Sequence, residues 1–73
     1  MSTSEIARLA SDIAAQFAHQ SQPDAASSVA AHIRSFWDPR MTRQLLDLVA
    51  SGGSGLDPVV VAAAARLRPP DTT

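Results

Sequence analysis

The tripeptide Trp37-Asp38-Pro39 constrains the fold more than any other stretch of the chain. A residue that precedes proline is pushed out of the α region, so a helix ends before it. Asp is a favoured N-cap, and proline is well placed at the first helical position. One helix therefore ends at about Trp37, and the next begins with Asp38 as cap and Pro39 as first residue. Trp37 is left at the corner between them, where its ring can pack on both helices or on a partner. Asp57-Pro58 repeats the signal and predicts a last helix from Val59 to about Leu67. The three consecutive valines there have high β propensity. The alanine run, the Asp-Pro start and the lack of a partner strand favour helix.

Hydrophobic spacing supplies the remaining elements. Ile6, Leu9, Ile13 and Phe17 recur at intervals of three and four, with Ala10 and Ala14 beside them. That is one apolar stripe on a helix running from Ser2–Ser4 to about His19. Ser2 and Glu5 fit a capping box at its start. Pro23 suits the first turn of a second helix, with Asp24 near its positive end. Val29, Ile33, Phe36 and Trp37 form the stripe of that helix, so Phe36 is expected in the domain's own core. The short connection between the two helices predicts an αα-hairpin. The third helix spans Pro39 to about Ala50. Met41, Leu45, Leu48 and Val49 share one face, and Leu46 lies outside that arc. The glycines of Ser51-Gly52-Gly53-Ser54-Gly55 supply the positive φ that a helix C-terminus needs. As a phosphate-cradling loop this run lacks the following Lys-Ser/Thr. The pattern as a whole predicts an all-α domain of three to four helices, a hairpin followed by two shorter helices, over residues 1–67. Residues 68–73 read as a disordered tail.

A chain of 73 residues buries only about 60% of its unfolded surface and is marginal alone. Disulfides, a metal or a partner are the usual remedies. The sequence has no cysteine, which removes disulfides, Cys-ligated zinc and iron–sulfur clusters. Two histidines and scattered aspartates do not form a spaced metal-ligand set. A partner remains. Much of the hydrophobic content is alanine, so the core is thin. The third and fourth helices are each apolar on more than one side, and such helices are normally buried on several sides, which a chain this short can hardly manage alone. The net charge of −1 argues against nucleic acid, whose binding rests on phosphate neutralisation. All six basic residues are arginine. The N-terminal residues lack a basic region followed by an apolar run, and no stretch approaches the ~20 apolar residues of a membrane span. The expected location is the cytoplasm.

No catalytic constellation stands out. His32 and Asp38 are separated by a helix end, His19 and His32 lie on different helices, and Ser27 and Ser28 have no nearby base. Arg8 with Asp12, Arg34 with Asp38 and Arg43 with Asp47 are i,i+4 pairs of the kind that are usually solvated. A binding role has better support. Trp37, Arg40 and Met41 place an aromatic, a planar cation and a flexible apolar side chain within one turn, residue types enriched at interface hot spots. Trp37 can equally serve as the main core residue. The candidate partner interface is Trp37, Arg40 and Met41, with Leu46 of the third helix and Val61 of the fourth as further apolar positions. A free-standing helical regulator or DNA-binding helix-turn-helix is the alternative. Its third helix would present only Arg40 and Arg43, offset by Asp47.

The block His32-Ile33-Arg34-Ser35-Phe36-Trp37-Asp38-Pro39-Arg40-Met41, followed by a helix, a Gly-rich turn and Gly55-Leu56-Asp57-Pro58, resembles the delta subunit of soluble NAD-dependent molybdenum formate dehydrogenases. The resemblance runs from about Glu5 to Leu67. It implies a non-catalytic accessory subunit of an enzyme that oxidises formate and reduces NAD. In such complexes the alpha subunit carries a molybdenum bis-guanine-dinucleotide centre and iron–sulfur clusters, and the beta and gamma subunits carry FMN and further clusters. The delta chain is expected to bind none of these. Its implied partners are the larger subunits, alpha foremost. Its implied role is to stabilise the complex and to assist molybdenum cofactor insertion.

Overall fold

The computed structural model describes residues 3–52 and 55–67. Four helices follow one another: α1 (Thr3–Gln16), α2 (Gln22–Phe36), α3 (Pro39–Ala50) and α4 (Pro58–Leu67). The capping box at Ser2, the residues Gly53 and Ser54, and the tail 68–73 lie outside the described residues.

The helix boundaries follow from backbone groups that must find partners at helix ends. At α3, the Asp38 carboxylate accepts the Met41 amide at 2.8 Å, and its carbonyl accepts the Thr42 amide at 3.1 Å. At α4, the Asp57 carboxylate takes the Val59 amide instead, also at 2.8 Å. The two Asp-Pro starts thus cap different amides of the first turn. The α2 cap is Ser21, whose hydroxyl accepts the Asp24 amide at a long 3.4 Å. The sequence reading placed Pro23 and Asp24 in the first turn but did not single out Ser21. Helix α1 stops at Gln16, three residues before the expected His19. Its last turn tightens: the Phe17 and Ala18 amides donate to Ala14 and Ala15 carbonyls at 3.1 and 3.3 Å, the i→i−3 pattern common at helix ends. Trp37 closes α2 in extended conformation, its amide donating to the Ile33 carbonyl at 2.9 Å. Gly52, with φ 125°, ends α3, and Gly55 has φ 80°. Nothing lies within 4 Å of a Cβ built at either, so glycine is needed there for its backbone freedom alone.

The most extensive helix–helix contact joins α2 and α4; α1 packs on both and on α3. Both helices bring small residues to the core: Ala25, Ala26 and Ala30 are buried on α2, and Ala63 and Ala64 on α4. Larger groups complete the core: Ile6, Ile33, Leu45, Val29 and Val60 are the largest fully buried side chains. Phe17, Trp37, Met41, Val49, Leu56, Val59 and Leu67 pack against it from the edge. No aromatic ring is fully buried among the described residues. Seven of the thirteen core residues are alanine, so most burial energy comes from a few Ile, Leu and Val side chains, each worth about 1.5–3 kcal/mol.

Arginine side chains tie the end of α4 to α2. The Arg66 guanidinium donates to the Ser27 hydroxyl at 3.1 Å and to the Pro23 carbonyl at 3.4 Å. Arg34 in turn donates to the Arg66 carbonyl, one of the groups that α4 leaves unsatisfied at its C-terminus. Arg34 therefore serves α4 rather than Asp38, the partner that its spacing suggested.

Ile33→Ala is expected to cost about 2–5 kcal/mol, by lost burial plus the cavity left behind. Stability in a small domain can be as little as ~5 kcal/mol, so this variant should keep at most about 3 kcal/mol and unfold at much lower urea than the parent. Ala63→Leu should also destabilise, by about 1–3 kcal/mol, because Ala63 is fully buried in the core and a longer side chain overpacks it. Urea titration followed by circular dichroism measures both.

Candidate partner interface

The helix corner at Trp37-Asp38-Pro39 separates its two aromatic residues. Successive helical residues point about 100° apart, so Phe36 and Trp37 cannot share one narrow stripe. Trp37 turns inward and packs, half-buried, on the edge of the core. Phe36 is 74% exposed. The expectation that Phe36 lies in the core is therefore wrong. Ile33 is the last fully buried residue of α2, and Phe36 ends the helix beyond that layer. Periodicity gave the direction of the side chain; it could not tell how far the neighbouring helices reach. The Phe36 ring lies against the His32 ring of the preceding turn, with centroids 4.7 Å apart and planes tilted by 37°.

The outer face of α3 and the end of α2 enclose an open depression of about 710 Å³, lined by Arg34, Trp37, Pro39, Thr42, Arg43, Leu46 and Asp47. Of the five residues singled out by sequence, it brings Trp37 and Leu46 together. Arg40 is exposed and lines an adjoining depression of about 250 Å³ with Pro39 and Arg43. Met41 is half-buried and packs against the core. Val61 lies on α4, 38% exposed and away from the depression. Sequence reasoning missed Thr42 as a lining residue and Phe36 as an exposed aromatic. The adjacency of Phe36 to Trp37 at a helix end was the signal that could have identified the latter.

The depression carries both apolar surface and charge. Trp37, Pro39 and Leu46 supply the apolar part; Arg34, Arg43 and Asp47 the charges. Among the described residues, Arg40 and Arg43 have neither a hydrogen bond nor an ion pair through their guanidinium groups, and Asp47 has none through its carboxylate. The i,i+4 spacing of Arg43 and Asp47 is thus not used for an ion pair. Among the described residues no three His, Cys, Asp or Glu side chains come together to hold a metal ion, and the sequence has no cysteine. The donor set of this chain does not fit a molybdenum or iron–sulfur centre. No helix among the described residues is long and apolar enough to cross a membrane.

The family model for the NADH-dependent formate dehydrogenase delta subunit, FdsD, matches residues 5–64, and the chain belongs to that family. No curated protein and no solved structure matches the chain significantly. The family is one of accessory, non-catalytic subunits of an NAD-dependent formate dehydrogenase complex, so the chain has other subunits as partners.

Phe36→Ala should leave the fold intact, with a stability change within about 0.5 kcal/mol, because an exposed side chain loses little on truncation. Asp38→Ala should lower stability by about 1 kcal/mol through loss of the α3 cap. Thermal unfolding of the two variants beside the parent distinguishes an exposed aromatic from a structural cap.

Proposed function

We propose that this chain docks on a larger subunit of the formate dehydrogenase through the Trp37–Leu46 depression and the exposed Arg40 beside it. In this reading the chain stabilises the assembled enzyme, and assists insertion of the molybdenum cofactor into the alpha subunit, its principal partner. Molybdenum bis-guanine-dinucleotide, iron–sulfur clusters and FMN reside on the partner subunits. The observation that carries the reading is the depression itself: an aromatic and an aliphatic side chain meet at an open surface beside Arg43, and Arg40 lines the adjoining depression; neither guanidinium has a hydrogen bond or ion pair among the described residues. These residue types dominate binding energy where a surface becomes covered. Met41 supports the corner from the core side, and Phe36 and Val61 are further exposed apolar positions.

The alternative, a free-standing DNA-binding module, is disfavoured by charge. The net charge is −1, and Asp47 sits on the same face of α3 as Arg43. Duplex affinity that falls steeply with salt would favour that alternative.

Arg40→Ala should keep the helical circular dichroism of the parent, since an exposed arginine in a helix's first turn opposes the positive helix end. It should weaken assembly by about 2 kcal/mol or more if Arg40 becomes buried in the interface. Pull-down affinity with the remaining subunits measures this; normal assembly would remove Arg40 from the interface. The functional role is tested by purifying the enzyme with and without this chain. The expected result without it is a lower molybdenum content by elemental analysis and earlier dissociation by native mass spectrometry. Unchanged values in both measurements would overturn the stabilising and insertion roles.

A further inference from the structure

We infer that the occupant of the Trp37–Leu46 depression is a partner segment that carries a carboxylate beside an apolar side chain. The inference rests on the docking reading above and adds the chemistry of what is docked. Its basis is local charge. Arg34, Arg43 and Asp47 line the depression, and Arg40 shares the adjoining one with Arg43. Three guanidinium groups thus stand against two carboxylates, Asp47 and the Asp38 cap whose carboxylate already accepts the Met41 amide, in a chain whose overall charge is −1. The basic excess belongs to this face and not to the protein as a whole.

The three cations are not equivalent. Arg34 is committed to the Arg66 carbonyl, so it contributes charge while its geometry is held by α4. Arg40 and Arg43 have no hydrogen-bond or ion-pair partner among the described residues. They lie three residues apart on α3 and therefore on one side of it. A guanidinium presents paired N–H donors that match the two oxygens of a carboxylate. An acidic side chain is thus the natural group for the Arg40–Arg43 end. The apolar neighbour of that acid then covers Trp37, Pro39 and Leu46. Asp47, one turn beyond Arg43 on α3, disfavours a second carboxylate at the far end. This gives the segment a direction: acid towards Pro39 and the start of α3, neutral or basic residues towards Asp47.

A second copy of the chain fits less well. An isologous contact repeats the same patch on both sides, which sets an excess of arginine against an equal excess. Like-charge juxtaposition of that kind disfavours the pairing. A nucleic-acid phosphate would meet the Arg40–Arg43 end but would also have to pass Asp47.

The test uses the full chain and the remaining subunits purified together without it. A photo-crosslinking amino acid replaces Thr42, which lines the depression, and the cross-linked partner peptide is sequenced by mass spectrometry. In parallel, binding of the parent, Arg43→Gln, Arg40→Gln/Arg43→Gln and Leu46→Ala is measured at low and at high sodium chloride. Circular dichroism confirms that each variant is folded. The expected cross-link falls on a partner peptide with Asp or Glu within a turn of the attachment site. The double arginine variant should bind roughly tenfold or more weakly at low salt and lose most of the salt dependence that the parent shows. Leu46→Ala should bind more weakly but keep that dependence. Charge reversal of the cross-linked acid to arginine should abolish binding of the parent and restore it to Arg43→Glu. A cross-link to a segment without acidic residues, or salt dependence unchanged in the double variant, would overturn the inference while leaving the docking site standing. A cross-link to a second copy of this chain would overturn the choice of occupant. Normal binding by all the variants, with no cross-link from Thr42, would overturn the docking site itself.

Discussion

The extensive contact between α2 and α4 is the constraint on which the rest of this structure depends. Both helices carry buried alanines, Ala25, Ala26 and Ala30 on α2 and Ala63 and Ala64 on α4, beside the larger buried Val29, Ile33 and Val60. Ile6 of α1 and Leu45 of α3 join the same core. The Arg66 bonds to Ser27 and Pro23, and the Arg34 bond to the Arg66 carbonyl, fix the position of α4 along α2. These bonds are exposed, and exposed bonds add little energy. Their contribution is to register.

The second organising feature is the turn from α2 into α3. The extended Trp37 and the Asp38 cap redirect the chain within two residues. Trp37 is thereby drawn onto the core's edge while Phe36 is left outside. Helix α3 then has one fully buried residue, Leu45, and much of the rest of its surface faces outward. It is held by its cap and its core-side residues, and its other face is the one proposed to meet a partner. This division of labour suits an accessory subunit, whose work is contact.

The elements of this fold were legible because its punctuation is chemical. Asp38-Pro39 and Asp57-Pro58 mark helix starts through capping and a fixed proline φ, and Gly52 marks an end through a positive φ. Such signals act within a few residues and need no knowledge of the rest of the chain. What could not be read depends on the reach of distant elements. The burial of Phe36 required knowing where the neighbours of α2 stop. The partner of Arg34 required knowing that the end of α4 comes to lie beside α2, more than thirty residues away in sequence. The short loop between α1 and α2 predicted a hairpin of these neighbours. They do pack on one another, but α4 makes the larger contact with α2, which no local signal could show. Alanine gives weak signals of burial in a sequence, and in this domain much of the core is alanine. For the interface, the spacing picked out the corner and Leu46. It could not show that Trp37 and Leu46 line the same depression or that Val61 lies elsewhere.

The pairing of α2 with α4 also bears on how the chain acquires its structure. The bonds from Arg66 to Ser27 and Pro23 join residues 39 and 43 apart in sequence. The entropic cost of closing a loop that long is met only when the contacts it brings together form. During synthesis, α1, α2 and α3 emerge from the ribosome before α4 exists. Until then α2 lacks the helix with which it makes its most extensive contact. The domain therefore closes late, with its last helix acting as the bolt. Until α4 is in place, the nascent chain exposes apolar surface of the kind that chaperones recognise.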